Sequence, residues 1–187
     1  GNKTSQDFTV PGWIKKAPLW HKRLFLAAYF GAEMSAPKTI PGHGHNFYVP
    51  TVCLSKKMRC LESGKQFLED LSGLLREFGV NTQKISRDRA TGEENPETSV
   101  RLRLLLSSGT DDLINLYSKV GYEYNRSRSM LSNIAAQYLK IKRGQIKKRV
   151  RLRARTKELV ASGMSVNAVH EKLGSHIANR RFIERSA

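Results

Sequence analysis

The chain has 187 residues, 39% of them hydrophobic, which is enough to bury one good core with at most a small second domain. Lysine and arginine number 33 against 16 aspartates and glutamates, a net charge of +17, which favours a polyanionic partner and above all nucleic acid. No long uninterrupted apolar run is present, so a membrane-spanning protein is excluded and a membrane surface is the weaker alternative.

The basic residues are concentrated late in the chain. From Arg126 onward there are 16 basic and 3 acidic residues, a net +13, whereas the first 125 residues carry 17 and 13, a net +4. The difference predicts a globular domain over residues 13–138, followed by a basic module over 139–187.

Other features narrow the class of protein. Cys53 and Cys60 provide neither a disulfide framework nor a zinc spacing, and His43 with His45 is better explained as a polar turn than as a metal site. No signal or transit peptide is recognisable. The chain begins with Gly1 rather than methionine, which suggests a processed or excised piece of a longer protein.

The first predicted helix runs from Trp20 to Met34, after a loose lead-in over residues 1–12. Ala28, Gly31 and Ala32 are small residues whose spacing allows another helix to approach closely. Glu33 follows them. A single carboxylate there could hold a divalent metal through oxygen, or it could simply be the first polar residue after a core helix.

The next elements alternate between strands and helices. Strands are predicted over 35–40, 46–55, 80–89 and 99–107, with a polar turn over 90–98, an amphipathic helix over 61–78, and a helix whose N-terminus Thr110 caps through its hydroxyl. This order predicts an α+β fold with a four-stranded, mostly antiparallel sheet covered by helices on one face.

The uncovered face of that sheet is predicted to be basic. In the strand over 99–107, four alternate residues point to the core, namely Val100, Leu102, Leu104 and Leu106. Arg101 and Arg103 point the other way, and Lys84 and Ser86 join them if Ile85 faces the core. Such a face suits phosphates and bases, although an ordinary solvated face is the alternative.

The basic module is predicted to be helical. Ten basic residues lie between Lys140 and Lys157, and such a helix either lies along a phosphate backbone or is merely solvated. Two short helices follow, over 166–173 and 176–185, in the outline of a helix-turn-helix or of an ordinary helical hairpin. The predicted contacts from this part are Arg126, Arg128, Lys147, Lys148, Arg149, Arg151, Asn179, Arg180 and Arg181.

The opening helix and the ββαββα order behind it resemble one core unit of the LAGLIDADG homing endonucleases. Leu26-Ala-Ala-Tyr-Phe-Gly-Ala-Glu-Met34 aligns with the name-giving motif without a gap, and the resemblance covers residues 13–138. Together with Val120-Gly-Tyr-Glu-Tyr-Asn125, it is most similar to the endonuclease part of archaeal inteins. The C-terminal segment resembles the helix-turn-helix modules appended to such proteins.

The resemblance implies a site-specific endonuclease of intein or intron homing. It would hydrolyse DNA phosphodiester bonds and make a double-strand break in a long site. Glu33 would be the catalytic and metal-binding acid, with Mg²⁺ or Mn²⁺ as cofactor. The implied partner is double-stranded DNA, together with a second copy in a homodimer or a missing second LAGLIDADG half. The implied location is cytoplasmic and nucleoid-associated.

The chain departs from the family pattern in three ways, one of which is that Arg126 is the nearest base where some members place a lysine after the third helix. It carries one motif where the chemistry uses two acids, and Met34 replaces the final glycine. It also lacks the terminal residues of a self-splicing protein. The alternative function is a non-cleaving nucleic-acid-binding protein on the same scaffold: a maturase-like RNA binder, a helix-turn-helix regulator or an RNA-associated structural protein.

Overall fold

A computed structural model describes residues 3–88 and 95–187, apart from the side chains of Gly44 and His45. Most of the predicted turn over 90–98, and Arg89 at the end of a predicted strand, lie outside the described residues. The chain divides into two compact units, Gly1–Gln137 and Tyr138–Ala187. In the described part of the chain, no helix is both long enough and apolar enough to cross a membrane.

The first unit combines helices with short strands. In chain order its elements are α1 (Gly12–Lys16), α2 (Leu19–Glu33), β1 (Thr39–Ile40), β2 (His43–Phe47), β3 (Thr51–Lys57), a 3-10 turn (Met58–Cys60), α3 (Leu61–Glu77), β4 (Ser86–Arg87), β5 (Ser99–Leu105), α4 (Thr110–Asn115) and a π-helical turn (Leu116–Val120). A longer helix, α5 (Arg126–Ala161), begins in this unit.

The sheet differs from the predicted four strands. Within the described ranges, β3, β5 and β4 form a three-stranded antiparallel sheet, while β1 and β2 pair separately. The strand predicted over 46–55 is divided at Pro50, which lies between β2 and β3. Proline interrupts strand pairing because it has no backbone N–H. The strand predicted over 80–89 is reduced to Ser86–Arg87 and one bridge from Thr82 to Leu106.

The core lies between this sheet and α3. Val100, Leu102, Leu104 and Leu106 are buried as predicted, and α3 contacts both β3 and β5. At Gly64 of α3, a Cβ would lie only 2.7 Å from Cγ of Lys56. Glycine is therefore needed there, because the helix passes so close to the sheet.

The N-terminal segment is packed, which corrects the predicted loose lead-in. The Thr4 carbonyl oxygen accepts a hydrogen bond from the Lys57 amide at 2.8 Å, and the Phe8 and Phe67 rings meet edge to face at 4.9 Å. Lys56 is fully buried, donates from Nζ to the Gln6 carbonyl oxygen and lies over the Phe8 ring. The alkyl chain and the ammonium group of Lys56 thus hold the N-terminal segment in place.

Two predicted details of helix packing and capping were wrong. Gly109, not Thr110, is the N-cap residue of α4, and no side chain caps that helix. Gly31 does not meet a second helix. It faces the loop after the π-helical turn, because a Cβ on it would fall on the Glu123 carbonyl oxygen.

The second unit contains the remainder of α5, then α6 (Val166–Leu173) and α7 (Arg180–Glu184). Ser165 caps α6 by accepting a hydrogen bond from the Ala168 amide at 3.3 Å. Asn179 caps α7 in the same way, so this helix is shorter than the predicted 176–185. A small apolar core holds the unit together, formed by Leu159, Val169, Ala178, Phe182 and Ile183.

Candidate nucleic-acid interface

The outer face of the sheet carries the predicted arginines. Arg101 and Arg103 alternate with buried residues of β5, since successive side chains of a strand point to opposite faces. In the antiparallel register, Ser55 lies opposite Arg101, and both Cys53 and Ser86 lie opposite Arg103. Small residues therefore flank Arg103 on both neighbouring strands, and Ser55 lies beside Arg101 on β3.

The two arginines are not equivalent. The Arg103 guanidinium pairs with the Asp88 carboxylate at 2.7 Å, and its Nε is buried without a hydrogen-bond acceptor. Arg101 is exposed, and among the described residues no carboxylate lies within ion-pair distance of it. Arg101 is thus the more available cation for a phosphate group.

Lys84 and Ser86 line a separate feature. Both are exposed at the rim of a cavity of about 710 Å³. Lys65 and Arg76 of α3 line the same cavity, so the edge beside β4 is also positively charged. The structure therefore places these two predicted residues at the edge of the sheet, beside α3.

Glu33 ends α2, as predicted, and its carboxylate forms an ion pair with the Lys3 ammonium. Burial, and then the nearby Glu33 charge, raise the pKa of the Tyr29 phenol. Over residues 3–88 and 95–187, no group of three or more histidine, cysteine, aspartate or glutamate side chains is placed to hold a metal. Glu33 supplies one of the two acids that the predicted site requires, and the second would come from another copy or a missing half. Mg²⁺ or Mn²⁺ at Glu33 stays a prediction.

Arg126 and Arg128 differ in what they contact. The Arg128 guanidinium donates to the Phe30 and Gly31 carbonyl oxygens at 3.1 and 3.0 Å. Asn125 also donates to the Gly31 carbonyl, at 2.9 Å, so both side chains satisfy the last carbonyl groups of α2. Arg126 is exposed at the start of α5. Sequence reasoning missed the capping role of Arg128, which only the contact with α2 reveals.

In the second unit, the predicted cations of α5 are exposed: Lys147, Lys148, Arg149 and Arg151. The Arg149 guanidinium lies 5.0 Å from the Phe182 ring centroid, a cation–π contact with the small core. Exposed lysines and arginines on successive turns create a strongly positive surface on this helix.

The predicted contacts of the last helix are partly engaged within the protein. Asn179 accepts a hydrogen bond from the Phe182 amide at 3.0 Å, which is a capping role. Arg180 pairs with Glu184 at 3.0 Å and donates to Asn167 at 3.1 Å. Arg181 is exposed. Its side chain is therefore better placed than that of Arg180 to meet an external anion.

The chain is similar to a segment of several larger archaeal proteins. It is 33% identical over 189 residues to a tRNA-splicing ligase RtcB of Pyrococcus furiosus, with 100% of this chain and 18% of that protein covered. With the protein of the same name from Methanopyrus kandleri it shares 32% identity, over 99% of this chain and 18% of the relative. A DNA-directed RNA polymerase subunit Rpo1N of Methanocaldococcus jannaschii is 28% identical, over 80% of the chain and 11% of the subunit.

Neither the protein families nor the solved structures that were compared provide a match. The chain spans less than a fifth of the length of the relatives that it matches. These relatives carry the name of an enzyme that joins RNA, which contradicts the predicted LAGLIDADG homing endonuclease, its DNA-cleaving function and the nuclease role that accompanied it. The resemblance had rested on one nine-residue motif and a common order of elements.

Proposed function

We propose that this chain is an RNA-binding segment of a larger protein of the tRNA-splicing ligase type. In this proposal it holds structured RNA by its phosphates, while the joining reaction belongs to the whole protein. This separation of roles is supported by the matched length, because the chain covers only 18% of each ligase-named relative.

The observation that carries the proposal is the exposed positive surface of α5. Lys147, Lys148 and Arg151 are exposed in a chain whose net charge is +17. Phosphate contacts supply most of the sequence-independent affinity of proteins for nucleic acids. A helix with these exposed cations is stabilised when a polyanion binds along it.

The sheet face offers a second set of contacts. Arg101 can approach a phosphate or a base edge, while Arg103 is held by Asp88. Arginine suits this role because its planar group binds phosphate in a bidentate manner.

The experiment is a comparison of affinities by fluorescence anisotropy with a labelled stem-loop RNA. Replacing Lys147 and Lys148 by alanine is expected to weaken binding about thirtyfold, since two phosphate contacts of about 1 kcal/mol each are lost. Lys65→Ala with Arg76→Ala removes the same charge from a half-buried and an exposed position of α3 and is expected to have a smaller effect. Equal losses in the two double variants would contradict a specific role for α5.

A second candidate function rests on the match to a protein named as an RNA polymerase subunit. A segment shared by proteins with such different names would be a general nucleic-acid-binding module, independent of RNA joining. Duplex DNA of matched length separates the two candidates. A clear preference for the RNA stem-loop at equal salt supports the first, and equal affinities support the second.

A further inference from the structure

The two tryptophans of the chain are both exposed. Trp13 in α1 is 66% exposed and Trp20 in α2 is 59% exposed. Large aromatic side chains are normally buried, because their burial contributes much of the stability of a core. Two exposed indoles on helices that contact each other therefore suggest a binding surface.

The surroundings of the indoles indicate an anionic ligand. Of the four lysines and arginines between Phe8 and Ala32, three pair with carboxylates of other segments, namely Lys15 with Asp70, Lys22 with Glu77 and Arg23 with Glu123, so the cation that is available to an anion is Lys16. Lys16, at the end of α1, is exposed and has no ion-pair partner among the described residues. Exposed indoles together with an unpaired lysine match unpaired nucleic acid, whose bases stack on indoles while a phosphate meets the lysine.

The local structure restrains helix α1, which carries Trp13, and the ring of Trp20. Ile14 is buried beside Trp13, and the Lys15 ammonium pairs with Asp70 of α3 at 2.6 Å, so α1 is fastened from two sides. The Trp20 ring stacks on the imidazole of His21, with centroids 3.4 Å apart. Indoles that are already restrained lose little conformational entropy when a base stacks on them.

We propose that Trp13, Trp20 and Lys16 form a stacking site for a single-stranded stretch of nucleic acid. This inference rests on the proposed function, and it adds unpaired bases to the phosphate contacts of α5. The stacking uses the flat face of any base, so the site is expected to be tolerant of sequence.

Intrinsic fluorescence provides the test, because these are the only tryptophans in the chain. Titration with a ten-nucleotide oligo(U) is expected to quench tryptophan emission as the oligonucleotide binds, and oligo(dT) of the same length is expected to do the same. Trp13→Ala with Trp20→Ala is expected to weaken oligo(U) binding by tenfold or more, since stacking on each indole is worth about that factor. Trp13→Phe with Trp20→Phe keeps a ring at each position and should retain most of the affinity.

Leu19→Ala is the control, because Leu19 precedes Trp20 and is 53% exposed but has no ring to stack. It is expected to leave oligo(U) affinity unchanged, and a loss equal to that of the alanine double variant would overturn ring stacking as the source of the affinity. Unquenched emission while oligo(U) and the stem-loop both bind would overturn this site alone. Failure to bind either ligand would overturn the proposed function as well.

Discussion

The backbone of Glu123 lies directly against Gly31, so that the Glu123 carbonyl oxygen takes the space in which a Cβ at position 31 would be. The Glu123 amide also donates to the Ala27 carbonyl oxygen at 2.9 Å. The loop that leads into α5 is therefore seated on the last turns of α2. Gly31 serves this contact rather than the predicted approach of a second helix.

Gly31→Ala is expected to lower the free energy of unfolding by about 2 kcal/mol or more, because backbone must shift to accommodate the methyl group. Gly73→Ala is the matched control in another helix. Its Cβ would meet nothing within 4 Å, and the change is expected to stabilise by roughly 0.5–1 kcal/mol. Denaturant unfolding measures both, and equal effects would show that the Gly31 contact is not close.

Arg128→Ala is expected to destabilise the protein by about 1–2 kcal/mol, because two carbonyl oxygens at the end of α2 lose a charged donor. Arg126→Ala, two residues earlier and exposed, is expected to change stability by less than about 0.5 kcal/mol. Thermal or denaturant unfolding of the pair tests whether Arg128 acts within the protein. If Arg126→Ala destabilised the protein and Arg128→Ala did not, Arg126 rather than Arg128 would be the arginine that acts within the protein.

The titration of Lys56 predicts a pH dependence of stability that one variant can separate from the effects of other groups. Burial lowers the pKa of this amine from its ordinary value of 10.5, so in the alkaline range the unfolded chain binds more protons than the folded one. Stability from this group therefore rises as the pH increases from the lowered pKa towards 10.5. Unfolding free energies of wild type and Lys56→Met are to be compared across this range.

Subtracting the unfolding free energy of Lys56→Met from that of the wild type cancels the contributions of the other titratable groups. The free energy of unfolding of the wild type is expected to rise relative to that of Lys56→Met as the pH rises. A constant difference would mean that the ammonium keeps its ordinary pKa in the folded protein, and a falling difference would mean that its pKa is raised.

The two arginines of β5 are expected to respond differently to substitution. Arg101→Ala should weaken binding of stem-loop RNA several-fold and reduce the salt dependence by about one unit of slope, as for one phosphate contact. Arg103→Ala should have less effect on affinity, because its guanidinium is already engaged by Asp88. Anisotropy titrations at several salt concentrations measure both quantities. A larger loss for Arg103→Ala would place the ligand on the Asp88 side.

The sequence was informative where periodicity reflects burial. Alternation along β5 placed Leu102 and Leu104 in the core and Arg101 on the opposite face, because a strand exposes every second residue. The spacing of α3 was equally clear, since an amphipathic helix has its own period.

What remained hidden depends on contacts between distant segments. The burial of Lys56 follows from its carbonyl partner at Gln6, fifty residues earlier, and no local pattern indicates it. The role of Arg128 depends likewise on the end of α2. At the site level, the pattern around Glu33 suggested a metal-dependent nuclease. The relatives, which are named tRNA-splicing ligases, contradict that function. A short motif can reflect helix packing without implying a particular chemistry.

The most direct test of the central claim is the salt dependence of stem-loop RNA binding by the whole chain. We predict that the logarithm of the association constant falls linearly with the logarithm of salt concentration. Replacing Lys147 and Lys148 by alanine should make that slope shallower by about two units, one for each lost phosphate contact. An affinity that does not change with salt, or a slope unaltered in this variant, would contradict RNA binding by the exposed cations of α5.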